Sequence, residues 1–299
     1  MPLFDAYIVV DWSAASVPRT GADSIWYAEY RREGRRVVRR ALINPSTRAA
    51  ATAAIADRLA RLAKSGRRVL AGFDFPFGYP AGTARMLGVQ GVPWQGIWRL
   101  LAQGIEDADD NDNNRFELGE RLNQRISGTD FPFWGHPPRQ ARRHLGPRKP
   151  RHHRRGEPAE RRLCEQRAPR AQPVWKLAYT GSVGSQALTG IPRIHQLRRD
   201  PRLAAVTRIW PFETGLGDDA ATQIVLAEVY PSLFGADRLA DRPKDAGQVT
   251  AAARGLARCD ADRRLAALLA GDPALSAAER SAVESEEAWI LGIIEGPAI

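Results

Sequence analysis

Cysteine is nearly absent from this chain, with only Cys164 and Cys259 among 299 residues. So distant a pair fits neither a disulfide framework nor a zinc site, and free thiols are expected. Long apolar runs are missing too: none approaches the ~20 residues that span a bilayer, so no membrane partner is expected. The first residues read as a strand rather than a basic region, an apolar core and a small-residue cleavage site, which points to the cytoplasm. No Walker or dinucleotide glycine pattern occurs. Histidine is scarce, and the serines near Asp11 lack an assignable histidine for a nucleophilic triad. His136 and His195 lie in unrelated contexts, while His144, His152 and His153 fall in a basic stretch where solvated roles are expected.

What is present suits one large globular domain spanning 1–299, with 43% hydrophobic and 26% charged residues. The net charge of +10 is unevenly spread. Residues 138–172 hold 12 lysines and arginines against 3 glutamates, whereas the remainder is almost balanced at 32 basic and 31 acidic. Such a local excess suggests contact with a polyanion, and a solvated, disordered insert fits the composition equally well.

The stretch VLAGFDFPFGYP, Val69 to Pro80, organises the reading. Its apolar run has the character of a strand buried on both faces. Asp74 arrives where that run ends, and Pro76, Gly78 and Pro80 block its continuation. The same arrangement opens the chain, where Tyr7-Ile8-Val9-Val10 runs into Asp11. Between them, 24–31 and 35–43 read as a hairpin turning at Glu33-Gly34. Asn44 to Thr47 then starts a helix that carries Ile55, Leu59 and Leu62 on one face and stops at Gly66. A helix directly after the first strand, as a Rossmann fold requires, is lacking. The order predicts a mixed sheet with the first and fourth strands parallel and adjacent, so that Asp11 and Asp74 project into one site.

Residues 81–190 depart from this alternation and read as an insertion. Helical spacing recurs at Trp94, Ile97, Trp98 and Leu101 and again at Leu118, Leu122 and Ile126. The DADDNDNN run at 107–114 partly imitates a calcium loop but has Asn114 where glycine is expected; an acidic, Asn-capped helix start explains it as well. Phe131 to His136 is an aromatic loop, a base-stacking surface or a core patch. Tyr179 to Gly190 holds two Gly-Ser steps, whose amides suit a phosphate or simply open a helix; Pro192 to Arg199 reads as a short helix. Strands are predicted at 206–212 and 223–230, the second carrying Glu228 late in its apolar run. Helix follows over 245–270, and a Ser276/Glu279 capping box opens a final helix. There Val283, Glu287, Ile290 and Ile294 lie within about 40° at 100° per residue, placing Glu287 on the core stripe and Glu286 elsewhere.

Clustered carboxylates without matching histidine or cysteine suit hard cations, Mg²⁺ or Mn²⁺. Two such ions about 4 Å apart activate a water and stabilise the leaving oxygen of a phosphodiester. The arrangement of YIVVDWSA and AGFDFPFGYP resembles the ribonuclease H-like superfamily and, more closely, an uncharacterised family of predicted ribonuclease H-like nucleases. Further shared features are Glu228 to Pro231, the Lys-x-x-Gly step from Lys244 to Gly247, and an acidic final helix. The resemblance implies an α/β fold, a sheet of five or more strands with helices on both faces and a metal site at its edge. It names Asp11, Asp74, Glu228 and Glu287 as catalytic metal ligands, with Glu284 a helper to the last. The family often has Asp followed by small residues where this chain has Glu287-Ala288-Trp289, which makes Asp245 a substitute candidate. Asp260 lies on an apolar helix face but too far along to reach the site. The expected activity is a metal-dependent nuclease in which Arg139, Arg142, Arg143 and Lys244 hold nucleic acid. The alternatives are a small nucleotide-like phosphorylated substrate and a non-catalytic nucleic-acid binder.

Overall fold

A computed structural model describes residues 1–294 except 35, 140 and 169. The chain opens with β1 (Ala6–Asp11), β2 (Trp26–Glu33) and β3 (Arg36–Ile43), followed by α1 (Arg48–Lys64) and β4 (Val69–Asp74). Gly34, with φ +60°, makes the β2–β3 turn, where a residue without Cβ adopts the left-handed region most readily. Thr47 caps α1 by accepting a hydrogen bond from the Ala50 amide. Ile55, Leu59 and Leu62 are buried on its inner face, each burial worth about 1.5–3 kcal/mol.

Between β4 and the next strand run α2 (Thr83–Met86), α3 (Pro93–Gly104), α4 (Arg115–Ile126), α5 (Leu163–Arg167) and α6 (Val183–Arg199). Then come β5 (Thr207–Ile209), β6 (Ile224–Glu228), α7 (Lys244–Ala261), α8 (Leu265–Leu269) and α9 (Ala277–Ala282). The six strands form one mixed sheet in the order β3-β2-β1-β4-β6-β5. β1 is antiparallel to β2 and parallel to β4, and β4 is parallel to β6. Alternation along these strands divides the core. Ile8, Val10, Ala71, Phe73 and Leu226 face α1, α3, α4 and α6, while Tyr7, Val9, Leu70, Val225 and Ala227 face α7 and α8. No helix among the described residues is long and apolar enough to cross a membrane. Both cysteines are free and buried.

Several expectations are corrected. The first Gly-Ser step leads into a helix, as one of its two readings has it, but the second step and the short helix beyond it are one helix, α6, of 17 residues with Pro192 inside it. The segment after β6 breaks at Asp262, so α7 and α8 replace one long helix. The final helix is short: α9 gives way to a π turn at Val283–Glu287 and to Ala288 at φ +61°, after which Ile290 bridges to Glu228. Glu286 and Glu287 draw the backbone off the helical path by accepting amide hydrogen bonds from the loop that follows β4. Asp260 is a buried anchor that accepts from the Leu3 and Phe4 amides and, at 2.5 Å, from the Tyr7 hydroxyl.

Gly78 shows how tightly that loop is held. A methyl group there would lie 2.6 Å from the Glu287 carbonyl oxygen, far inside contact distance. Gly78→Ala is expected to destabilise the protein by ~1–3 kcal/mol, measured as a lower urea midpoint, while Gly217→Ala, with open space around it, leaves the midpoint unchanged.

Candidate active site

The parallel ladder pairs β1 with β4 residue for residue, from Ala6 opposite Val69 to Asp11 opposite Asp74. Neighbouring strands are about 4.8 Å apart and same-face residues stay level across the ladder, so the two carboxylates emerge side by side at one end of the sheet. Burial raises the pKa of Asp11, and the negative charges of Asp74, Asp245 and Asp23 raise it further. Asp74 is pushed up to about 7, by burial first and Glu228 second. The charges that act on this pair most are themselves negative, a costly arrangement that a cation relieves.

Asp245, the second residue of α7, accepts a hydrogen bond from the Asp23 amide at 2.7 Å through Oδ2. Its Oδ1 has no hydrogen-bond partner among the described residues. Asp11, Asp23 and Asp245 line one cleft of ≈ 650 Å³, and Asp74 and Glu228 line a second of ≈ 350 Å³. Gly181 and Gln186 of the α6 entry line both, and the Gln186 side chain donates to the Trp12 carbonyl.

Glu228 and Glu287 do not stand as the free ligands expected of them. Glu228 receives both terminal nitrogens of Arg162, at 2.6 and 2.7 Å, and the Phe77 amide at 2.9 Å. Arg162 also pairs with Glu165 at 2.7 Å, and all three side chains are buried. Glu287 accepts from the amides of Ala81 and Leu163, and burial raises its pKa. Glu286, expected to face elsewhere, is buried on the amides of Gly82 and Ala84. Glu284 accepts from the Leu216 amide. Among the described residues no three His, Cys, Asp or Glu side chains group as a metal-binding set. A four-carboxylate, two-ion centre is therefore not assembled. Asp11 and Asp74 stand level across the ladder but line different clefts, and two carboxylates are within the number that Mg²⁺ takes while keeping most of its water.

The basic segment is largely engaged with itself and its surroundings. Arg142 pairs with Glu120, Lys149 with Glu160, Arg151 with Glu157, and Arg167 with Asp272. Arg139, Arg143 and Lys244 are exposed and line neither acidic cleft. The arginines that do line them are Arg19 and Arg115 on the Asp11 side and Arg162 and Arg170 on the Asp74 side. The 107–114 run is no calcium loop, because Glu120 is held by Arg142 and Asn111 is buried against Arg48. Phe131 and Phe133 are buried, and Phe133 packs in the core against Trp175. His153 is half-buried, with its ring 4.5 Å from that of Phe131. The first amides of α6 are bonded to the carbonyls of Gly181, Lys176 and Ser182, which leaves no phosphate cradle there.

Comparisons with protein-family models, with curated proteins and with solved structures find no match for this chain.

Two outcomes follow from this electrostatic arrangement. Stability contributed by Asp74 is complete below its ordinary value of 3.8 and is lost as pH rises through about 7, because the folded state holds the proton longer. Asp74→Asn is thus expected to exceed the parent in stability by ~2–4 kcal/mol at pH 8 and to match it at pH 4. Mg²⁺ at pH 8 is expected to raise the melting temperature of the parent alone; a stability difference independent of pH contradicts the assignment. Separately, Arg162→Met leaves Glu228 and Glu165 buried without a counter-charge and is expected to cost ~3–5 kcal/mol in urea unfolding. Adding Glu228→Gln restores part of that loss.

Proposed function

We propose that the protein is a divalent-cation-dependent phosphodiesterase acting on nucleic acid, built on a ribonuclease H-like sheet. The observation that carries this reading is the Asp11–Asp74 pair, level across a parallel ladder and surrounded mainly by negative charge. The antiparallel hairpin beside the central parallel pair supports the ribonuclease H-like assignment. The segment 81–190, which adds no strand to the sheet among the described residues, is consistent with an insertion into such a domain.

Asp11 and Asp74 would hold the cation. A bound divalent ion supplies polarisation of a phosphoryl oxygen and acidification of a water. Asp245, with Oδ1 free of partners, is placed to accept a proton from the attacking water. Arg170 and Arg115 are the cleft arginines placed to receive phosphate oxygens. Arg162 orients Glu228 by pairing with its carboxylate. The ion pairs within 138–172 leave Arg139, Arg143, Arg148, Arg154, Arg155 and Arg170 exposed for a nucleic-acid backbone. That is fewer contacts than the composition alone promises, and it favours a short bound segment over a long one.

The test is cleavage of labelled single-stranded and duplex DNA, RNA and hybrid oligonucleotides with Mg²⁺ or Mn²⁺. Asp11→Asn and Asp74→Asn are each expected to lose more than the ~10- to 100-fold that loss of an outer-shell partner costs, with the fold retained. An Asp74→Asn protein that cleaves the panel as fast as its parent ends this reading. Salt-sensitive binding without cleavage places the protein among non-catalytic nucleic-acid binders instead.

A further inference from the structure

Arg115, the first residue of α4, forms no salt bridge among the described residues. Its Nε donates to Ser185 Oγ at 3.1 Å, and its Nη1 donates to Ser16 Oγ at 2.7 Å and Asn113 Oδ1 at 2.8 Å. All three acceptors are neutral, and Arg115 makes no ion pair among the described residues. The guanidinium carbon lies 4.3 Å from the centroid of the Phe116 ring. Nearby, Arg48 and Arg193 share the carboxylate of Asp107, which is thereby taken up by two other guanidiniums. Burial, then Arg48, pull Arg115 down to about 10, which leaves it protonated at neutral pH. A half-buried guanidinium with only neutral partners is costly unless an anion completes it. Its Nη2 makes no hydrogen bond among the described residues.

The run that imitates a calcium loop is the scaffold for this cation. Asn113 holds Arg115, while Asp107 and Asn111 hold Arg48. Arg115 lines the same ≈ 650 Å³ cleft as Asp11 and Asp245, a volume in the range of small-molecule sites. One wall therefore calls for a cation and another for an anion. A phosphate answers the second wall, its oxygens taken by the guanidinium fork. Tyr179 lines the cleft as well. It is 52% exposed, sits at φ +72°, and is fixed by its hydroxyl on the His136 carbonyl at 2.9 Å. An aromatic ring held at a cleft by its far end offers a face on which a base stacks.

We propose that this cleft receives one nucleotide unit of the substrate, its phosphate taken by Arg115 and its base laid on Tyr179. The inference rests on the phosphodiesterase reading for its biological sense, but its test needs no turnover. Isothermal titration of the full chain, without divalent ions, compares adenosine 5′-monophosphate, adenosine and ribose 5-phosphate. Arg115→Gln is expected to weaken the monophosphate and ribose 5-phosphate by ~10- to 100-fold and to spare adenosine. Arg115→Lys, which keeps the charge but not the fork, falls between. Tyr179→Ala is expected to weaken the monophosphate and adenosine and to spare ribose 5-phosphate. Should Arg115→Gln fail to fold, the parent protein still decides: adenosine bound as tightly as its monophosphate overturns the phosphate assignment. No binding of the monophosphate at millimolar concentration, or equal binding by parent and Arg115→Lys and Arg115→Gln, overturns it too. Nucleic-acid cleavage that needs Asp74 but ignores Arg115 and Tyr179 sinks this inference and spares the phosphodiesterase. Arg115-dependent binding without any cleavage does the reverse.

Discussion

Parallel pairing of β1 with β4 leaves no freedom in where Asp11 and Asp74 stand. Five apolar pairs precede them in register, from Ala6 with Val69 to Val10 with Phe73, and a slip of one residue would turn every one of those side chains to the wrong face. The core thus sets two like charges on neighbouring strands at one level, an arrangement that the carboxylates alone would avoid. The free energy for holding them together comes from buried strands and the helices packed on both sides, not from anything at the site. In such a place a divalent ion or a shared proton is the natural complement.

Arg162 sets the number of charges at that sheet end. It comes from the Arg-rich segment, is fully buried, and grips Glu228 with two nitrogens while also holding Glu165. It gives Glu228 a counter-charge and turns it to structural use, while Glu228 still adds to the negative field on Asp74. The same guanidinium donates to the Glu287 carbonyl, tying the basic segment, the end of β6 and the π turn into one unit. Much of the positive charge that marks this segment in the sequence is internal mortar rather than a surface for a polyanion.

The sheet was legible because each central strand announces itself locally: an apolar run, a terminal acid, and turn residues such as Gly34 and Thr47 between. The pairing of Asp11 with Asp74 followed from strand order alone. Asp245 was visible too, since a helix beginning soon after a strand end lies near that end. The fate of Glu228 was not legible, because its partner is 66 residues away and looks like any other arginine of a basic run. The stripe argument for Glu287 assumed a continuous helix, and one π turn with Ala288 at φ +61° removes that premise. Arg115 was passed over beside a conspicuous acidic run, although an arginine directly after Asn113 and Asn114 was the only signal available. The phosphate role imagined for the Gly-Ser steps failed because helix entry consumes the same amides.

Glu286 and Glu287 reach back to the loop after β4, while Ile290 and Leu291 pair with Glu228 at the end of β6. These residues leave the ribosome more than two hundred positions after Asp74. A nascent chain long enough to form the central strands therefore still has an unbraced loop at their ends. A chain cut short of Glu286 would keep the two aspartates in register but lose the acceptors that hold the loop beside them.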